Sequence, residues 1–174
     1  MGILVKILGM ILVVAGSGAC GWYLANEAKI RIKILQELQQ GILVLYGEVE
    51  YAGDDMEEIL ERLSRKSLFF AGLFHGVSQK LHRKENKSLY AIWQEEVQGL
   101  SCKKRLKEDD LSLLEELGKH LGNLDRQTQL HTFQLLLQRL EKQIKDAREE
   151  YQGKAKVYRV LGVTVGVFAT ILLL

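Results

Sequence analysis

The chain has 174 residues, 47% of them apolar and 26% charged, with 16 glycines, no proline and a net charge of +2. Two cysteines exclude a disulfide scaffold, the content of Leu, Ile and Val excludes a disordered chain, and the near-neutral charge gives no reason to expect a nucleic-acid partner. A mean hydropathy of -0.03 is high for a chain with 24 basic and 22 acidic residues, so the apolar residues must be unevenly distributed.

The first apolar block runs from Ile3 to Leu24 and holds one charge, Lys6. It is long enough to cross a hydrocarbon core of about 30 Å, and Trp22 and Tyr23 stand where interfacial aromatics belong. Residues 1–24 are therefore expected to form a transmembrane helix. A cleavable signal peptide is the competing reading, because one Lys, an apolar run and the small residues from Ala15 to Ala19 also fit that pattern. Cys20 is a poor candidate for a lipid-modified cysteine, since Ser17 occupies the position where such sites want Leu.

Residues 25–156 carry nearly all the charge and read as helices throughout, with no proline and almost no alternating polarity. Ile30, Ile34, Leu38, Ile42, Leu45 and Val49 recur at helical spacing, and this helix is expected to continue from the membrane segment. Ala52-Gly53 ends it, and Asp54 with Glu57 has the form of a capping box opening a second helix that carries Met56, Ile59, Leu60 and Leu63. Ser67 is the expected cap of a third helix, whose Leu68, Phe69, Phe70, Leu73, Phe74, Val77 and Leu81 make it the core element. A polar connector, Arg83 to Lys87, leads to a fourth helix capped by Ser88 and bearing Leu89, Ile92, Trp93 and Val97. The fifth opens on Glu108-Asp109-Asp110, carries Leu111, Leu114, Leu117 and Leu121, and stops at Gly122-Asn123.

In the last helix Leu130, Phe133, Leu137, Leu140, Ile144, Ala147 and Tyr151 alternate steps of three and four, the pattern of a heptad seam. The seam extends to Tyr158 and Leu161, so the helix is expected to enter a second membrane segment, residues 157–174, without a break. Gly162, Gly166 and Thr170 leave one face of that segment nearly flat, a surface suited to packing against another helix in lipid. Lys29, Arg31 and Lys33 follow the first segment, and Lys154, Lys156 and Arg159 precede the second. Positive charge is retained in the cytoplasm, so the expected topology is a hairpin with the middle cytoplasmic and both ends outside; Lys6 is the one dissenting charge. The fold class is all-α: an antiparallel bundle of about six helices flanked by N- and C-terminal transmembrane helices.

The search for chemistry finds no catalytic constellation. His75, His82, His120 and His131 have no metal-ligand spacing, and neither a P-loop nor a nucleophile elbow occurs. Glu95-Glu96, Glu115-Glu116 and Asp109-Asp110 are sequence neighbours that diverge by about 100° on a helix, so they do not converge as an acid and base would. No catalytic residue, metal or cofactor is expected, and the chain is read as a non-enzyme. The basic group Lys103-Lys104-Arg105 with Lys107 suits a solvated loop better than a headgroup or acidic-partner site. One stretch, from Leu117 to Gln129, stands apart. Gly118 and Gly122 fall on one helix face where another backbone can approach, and Asp125 is placed to cap the long final helix with Gln129 one turn on. A helix-turn-helix corner explains these residues, and an interaction site is the alternative.

The same residues carry a resemblance. The block L-G-x-x-L-G-x-L-D-R-x-x-Q, from Leu117 to Gln129, with Lys107 to Leu111 before it, the Arg139-Leu140-Glu141 helix after it and the ending Tyr158-Arg159-Val160-Leu161-Gly162-Val163, resembles the stage III sporulation protein AB family of endospore-forming bacteria. The likeness extends over almost the whole chain, Trp93 included. Family members often carry Thr-Pro where this chain has Ala52-Gly53-Asp54-Asp55, so the turn here must be made by Gly and Asx chemistry.

The resemblance implies a subunit of the stage III A complex in the mother-cell membrane around the forespore, part of a channel joining the two cells. It also implies a cytoplasmic domain similar to the F-type platform protein of type II secretion systems, docking the complex's secretion-type ATPase, protein AA. On that view Leu117, Gly118, Leu121, Gly122, Asp125, Arg126 and Gln129 are structural or partner-binding residues. Any higher symmetry would come from copies of the chain, as a homo-oligomer, or from other subunits. The alternative that needs no family is a membrane-tethered coiled-coil scaffold or signalling module, self-associating through the 130–151 seam. It requires Phe133, Leu137, Leu140 and Ile144 to be unburied within one chain.

Overall fold

The computed structural model describes residues 2–52, 55–122 and 125–173, with side chains described for 26–51, 55–122 and 125–153 and at isolated positions beyond. Among them are six α-helices and no strand: α1 (Gly2–Gly47), α2 (Met56–Lys66), α3 (Ala71–His82), α4 (Leu89–Gln98), α5 (Glu108–Leu121) and α6 (Arg126–Leu173). A π-helical turn, Glu48–Ala52, ends α1, and a 3-10 turn, Lys103–Arg105, lies between α4 and α5. The helices group into two compact units, one made of Met1–Ile30 with Asp146–Leu174 and the other of Arg31–Lys145.

In the Arg31–Lys145 unit successive short helices pack on one another, α2 on α3, α3 on α4 and α4 on α5. The part of α1 in this unit buries Ile34, Leu35, Leu38, Ile42 and Leu45; of the expected stripe Ile30 and Val49 are only half-buried, and Leu35 is an addition. Also buried are Ile59, Leu60 and Leu63 of α2, Phe70, Leu73, Phe74 and Val77 around α3, Ile92, Trp93 and Val97 of α4, and Leu113, Leu114, Leu117 and Leu121 of α5. Each such side chain contributes about 1.5–3 kcal/mol on leaving water, offset by ordering the chain. Ser88 caps α4 as expected, its hydroxyl accepting from the Ala91 amide at 3.2 Å.

Two helix starts differ from the sequence expectation. The residue before α2 is Asp55, in extended conformation and without a side-chain cap, while Asp54 lies outside the described residues. Ser67 does not open α3; it closes α2, its amide donating to the Leu63 carbonyl at 3.0 Å. The helix α3 begins at Ala71 because the amides of Leu68, Phe69 and Phe70 all donate to one carboxylate oxygen of Glu37, at 2.9, 2.7 and 3.1 Å. A carboxylate from α1 thus does the work of a local cap, with charge-assisted bonds that a serine hydroxyl cannot match.

The α6 face also departs from a strict heptad. Phe133, Leu136, Leu140 and Ile144 are buried together with Gln129 and Thr132, whereas Leu130 and Leu137 are half-buried and Leu135 is exposed. This is the broad face of a bundle helix, occupied within one chain. A self-pairing seam through Phe133, Leu140 and Ile144 would require opening the bundle, so the coiled-coil alternative loses its surface.

In the second unit, α1 and α6 are each continuous from the bundle into the apolar ends, as expected, and Ala147 is buried. Among the described residues no helix is long and apolar enough to cross a membrane. The side chains of 1–8 and 10–25, and those of 158–163 and 165–174 with Gly162, Gly166 and Thr170, lie outside the described residues, and the expected spans rest on them.

Candidate functional site

The Leu117–Gln129 block forms the corner between α5 and α6. On the α5 side the controlling contact is with Trp93, which is fully buried and donates its indole Nε1–H to the Leu114 carbonyl at 2.9 Å. The indole lies over Gly118 so closely that a Cβ there would overlap its Cγ, Cδ1 and Nε1 atoms. Only hydrogen at Gly118 lets α4 and α5 approach at this point. Phe74 packs against the indole, 6.3 Å between ring centroids, and Phe70 follows at 6.0 Å from Phe74. Gly122 is different: a Cβ there would lie 3.7 Å from Leu89 Cβ, an ordinary contact, and its φ of -100° is open to any residue.

On the α6 side Asp125 acts as the cap the sequence suggests. Its carboxylate accepts from the Thr128 amide at 3.0 Å and from the Thr128 hydroxyl. Those bonds to Thr128 hold the Asp125 carboxyl below its ordinary range. Gln129, buried, donates from Nε2 to the Leu121 carbonyl at 3.2 Å, tying the first turn of α6 to the last turn of α5. Arg126 reaches the carbonyl of Glu50 in the π-helical turn, so the corner also holds the end of α1.

Of the seven candidate residues, Leu117, Gly118, Leu121 and Gln129 are buried and serve the corner itself. Gly122, Asp125 and Arg126 are exposed and close in sequence. Of the seven, only these three stand on the surface. Among the described residues no group of three His, Cys, Asp or Glu side chains is arranged to hold a metal ion.

Sequence reasoning missed three organising contacts. Arg31 was legible only as a cytoplasmic positive charge, yet its guanidinium makes a two-pronged pair with Asp110, Nε to Oδ2 at 2.7 Å and Nη2 to Oδ1 at 2.9 Å. Asp110 is fully buried and also accepts from the Lys107 amide at 2.9 Å. Glu37 as the cap of α3 is the second, and the third is the pairing of Gly118 with Trp93. Each joins residues far apart in the chain, so no local spacing announces it.

The chain matches the stage III sporulation protein AB family over residues 6–174. It is 23% identical over 172 residues to the stage III sporulation protein AB of Bacillus subtilis (strain 168), covering 98% of this chain and 100% of that protein. A solved structure of a stage III sporulation protein AB shares the fold, with a TM-score of 0.65 and 21% identity over 71% of this chain and 97% of the other. A match over nearly the whole length, joined to an all-helical fold shared with that solved structure, makes this chain a member of the stage III sporulation protein AB family, with a role in sporulation.

Proposed function

We propose that the protein is a non-enzymatic platform subunit of the stage III sporulation channel complex between mother cell and forespore. Residues 3–24 and 157–174 span the mother-cell membrane around the forespore, and the bundle stands in the cytoplasm, where it docks the secretion-type ATPase, protein AA. The observation that carries this reading is the family match over residues 6–174. Support comes also from the α5–α6 corner, where buried Gly118, Leu121 and Gln129 hold exposed Gly122, Asp125 and Arg126 in a fixed arrangement, as a docking surface requires.

The test is a binding titration of the full-length chain, in detergent or lipid discs, against the purified ATPase. Arg126→Ala is expected to weaken binding about tenfold or more, in the range of an interfacial arginine anchor, with the helical circular dichroism signal unchanged. Failure of the folded wild-type chain to bind would end the motor-docking reading. A reporter fused within the Arg83–Lys87 connector and found on the far side of the membrane would end the cytoplasmic placement.

A further inference from the structure

Two loops of the Arg31–Lys145 unit lie side by side at the end of the bundle where α1 enters it. One is the Ser67–Phe70 reversal between α2 and α3, and the other is the Gly99–Lys107 connection between α4 and α5. Cys102 Sγ donates to the Phe69 carbonyl at 3.8 Å, which joins them. Glu37 holds the first loop through its three amides, and Arg31 holds the second through Asp110 and the Lys107 amide. Arg31 in turn follows Leu24, the end of the first apolar stretch, by seven residues. Even a fully extended chain allows only about 25 Å between those two positions.

The surface these loops present is unlike the rest of the bundle. Leu68 is 79% exposed, more than any other exposed leucine of the unit. The same two loops, with the last residue of α2, carry Lys66, Lys104, Arg105 and Lys107, all exposed, and half-buried Lys103; Glu108 and Asp109 are the acids beside them at the start of α5. A lone exposed leucine is ordinary. A leucine set among long basic side chains, and tethered within reach of an apolar span, has the make-up of an interfacial anchor: an apolar tip with cations at the height of lipid phosphates.

We propose that this end of the bundle rests on an anionic phospholipid surface, with Leu68 entering the headgroup layer and Lys103 and Lys104 binding lipid phosphates. The inference rests on the reading that residues 3–24 span the membrane. An acidic protein would match the cations equally well; the short tether to the apolar stretch selects the lipid. Such seating would fix the tilt of the bundle, and so the direction in which the α5–α6 corner faces.

The test is hydrogen exchange on the full-length chain in discs of phosphatidylcholine alone and of phosphatidylcholine mixed with phosphatidylglycerol. Amides of 67–70 and 101–107 are expected to exchange more slowly in the anionic discs, and to lose that protection at high salt. Lys103→Gln with Lys104→Gln should weaken the seating about fivefold for each charge removed. Leu68→Ser, at a side chain too exposed to affect folding, should weaken it in the anionic discs too. Retention of the chain through an alkaline carbonate wash with equal exchange in both discs would overturn this inference alone. If the wash strips the chain from the lipid, the span reading and this inference fall together.

Discussion

A methyl group at Gly118 has no place to go, because the Trp93 indole already fills the space and is itself held by the Leu114 carbonyl and by Phe74. Gly118→Ala is therefore expected to destabilise the bundle by about 1–3 kcal/mol, the usual result of overpacking. Gly122→Ala should change stability far less, since its added carbon meets Leu89 at ordinary contact distance. Urea unfolding of the two variants, followed by tryptophan fluorescence, checks the contrast.

Cys102 offers a second residue-scale test. It is buried, and burial pushes its thiol pKa up to about 11. At pH 8 that leaves about one thiol in a thousand ionised, so alkylation in the folded protein should run at least about a hundredfold slower than for an ordinary cysteine. Labelling in a Cys20→Ser background measures this directly. Asp125 gives a pH prediction. Its carboxyl is held below the ordinary range by Thr128, so the cap is fully present above that range and is lost as pH falls through the lowered value. The first turn of α6 should begin to exchange faster in acid, and Asp125→Asn should flatten that dependence.

Among the elements, α3 owes its start to a charge carried by α1, whereas α5 opens where its own Glu108-Asp109-Asp110 places it, with Asp110 accepting from the Lys107 amide. Three amides before α3 depend on Glu37, and Glu37→Ala should cost about 2 kcal/mol, with exchange rising first at 68–74. The Arg31–Asp110 pair is a harder case, since its carboxylate is fully buried. Arg31→Met leaves that charge without its counter-ion and is expected to destabilise by about 3–5 kcal/mol, whereas Arg31→Met with Asp110→Leu should recover much of the loss. Thermal unfolding of the single and double variants decides whether the pair's value lies in attraction or in avoiding an orphaned charge. The helix α6 shows how a pattern misleads: its steps of three and four suggested a seam for a second chain. Burial of Leu136 beside Phe133, with Leu137 only half-covered, shows a face wide enough to close its own bundle.

At the scale of the whole molecule, two long helices, α1 and α6, each pass from the bundle unit into the unit formed by the chain ends. Most of the buried face of α1 to α5, the Ser88 cap and the unbroken last helix could be read from the chain, because apolar spacing and capping act within a turn or two, but Leu113 was missed and Leu68, expected in the core, is exposed. The Leu117–Gln129 block was likewise conspicuous, and Asp125 takes the capping role its position suggests. Its division into buried supports and an exposed Gly122, Asp125 and Arg126 needed the folded molecule, since exposure depends on what α4 and α5 bring against it. The start of α3 needed it for the same reason, whereas α5 begins at Glu108 as its acidic opening suggests. A carboxylate from α1 overrides a local cap only after the chain has brought residues some thirty positions apart into contact, as Glu37 with Phe69. Periodicity thus determined which helices form and which face each turns inward, while tertiary contact alone decided where α3 begins and which residues of the corner stay exposed, because long-range hydrogen bonds and burial leave no trace in local spacing.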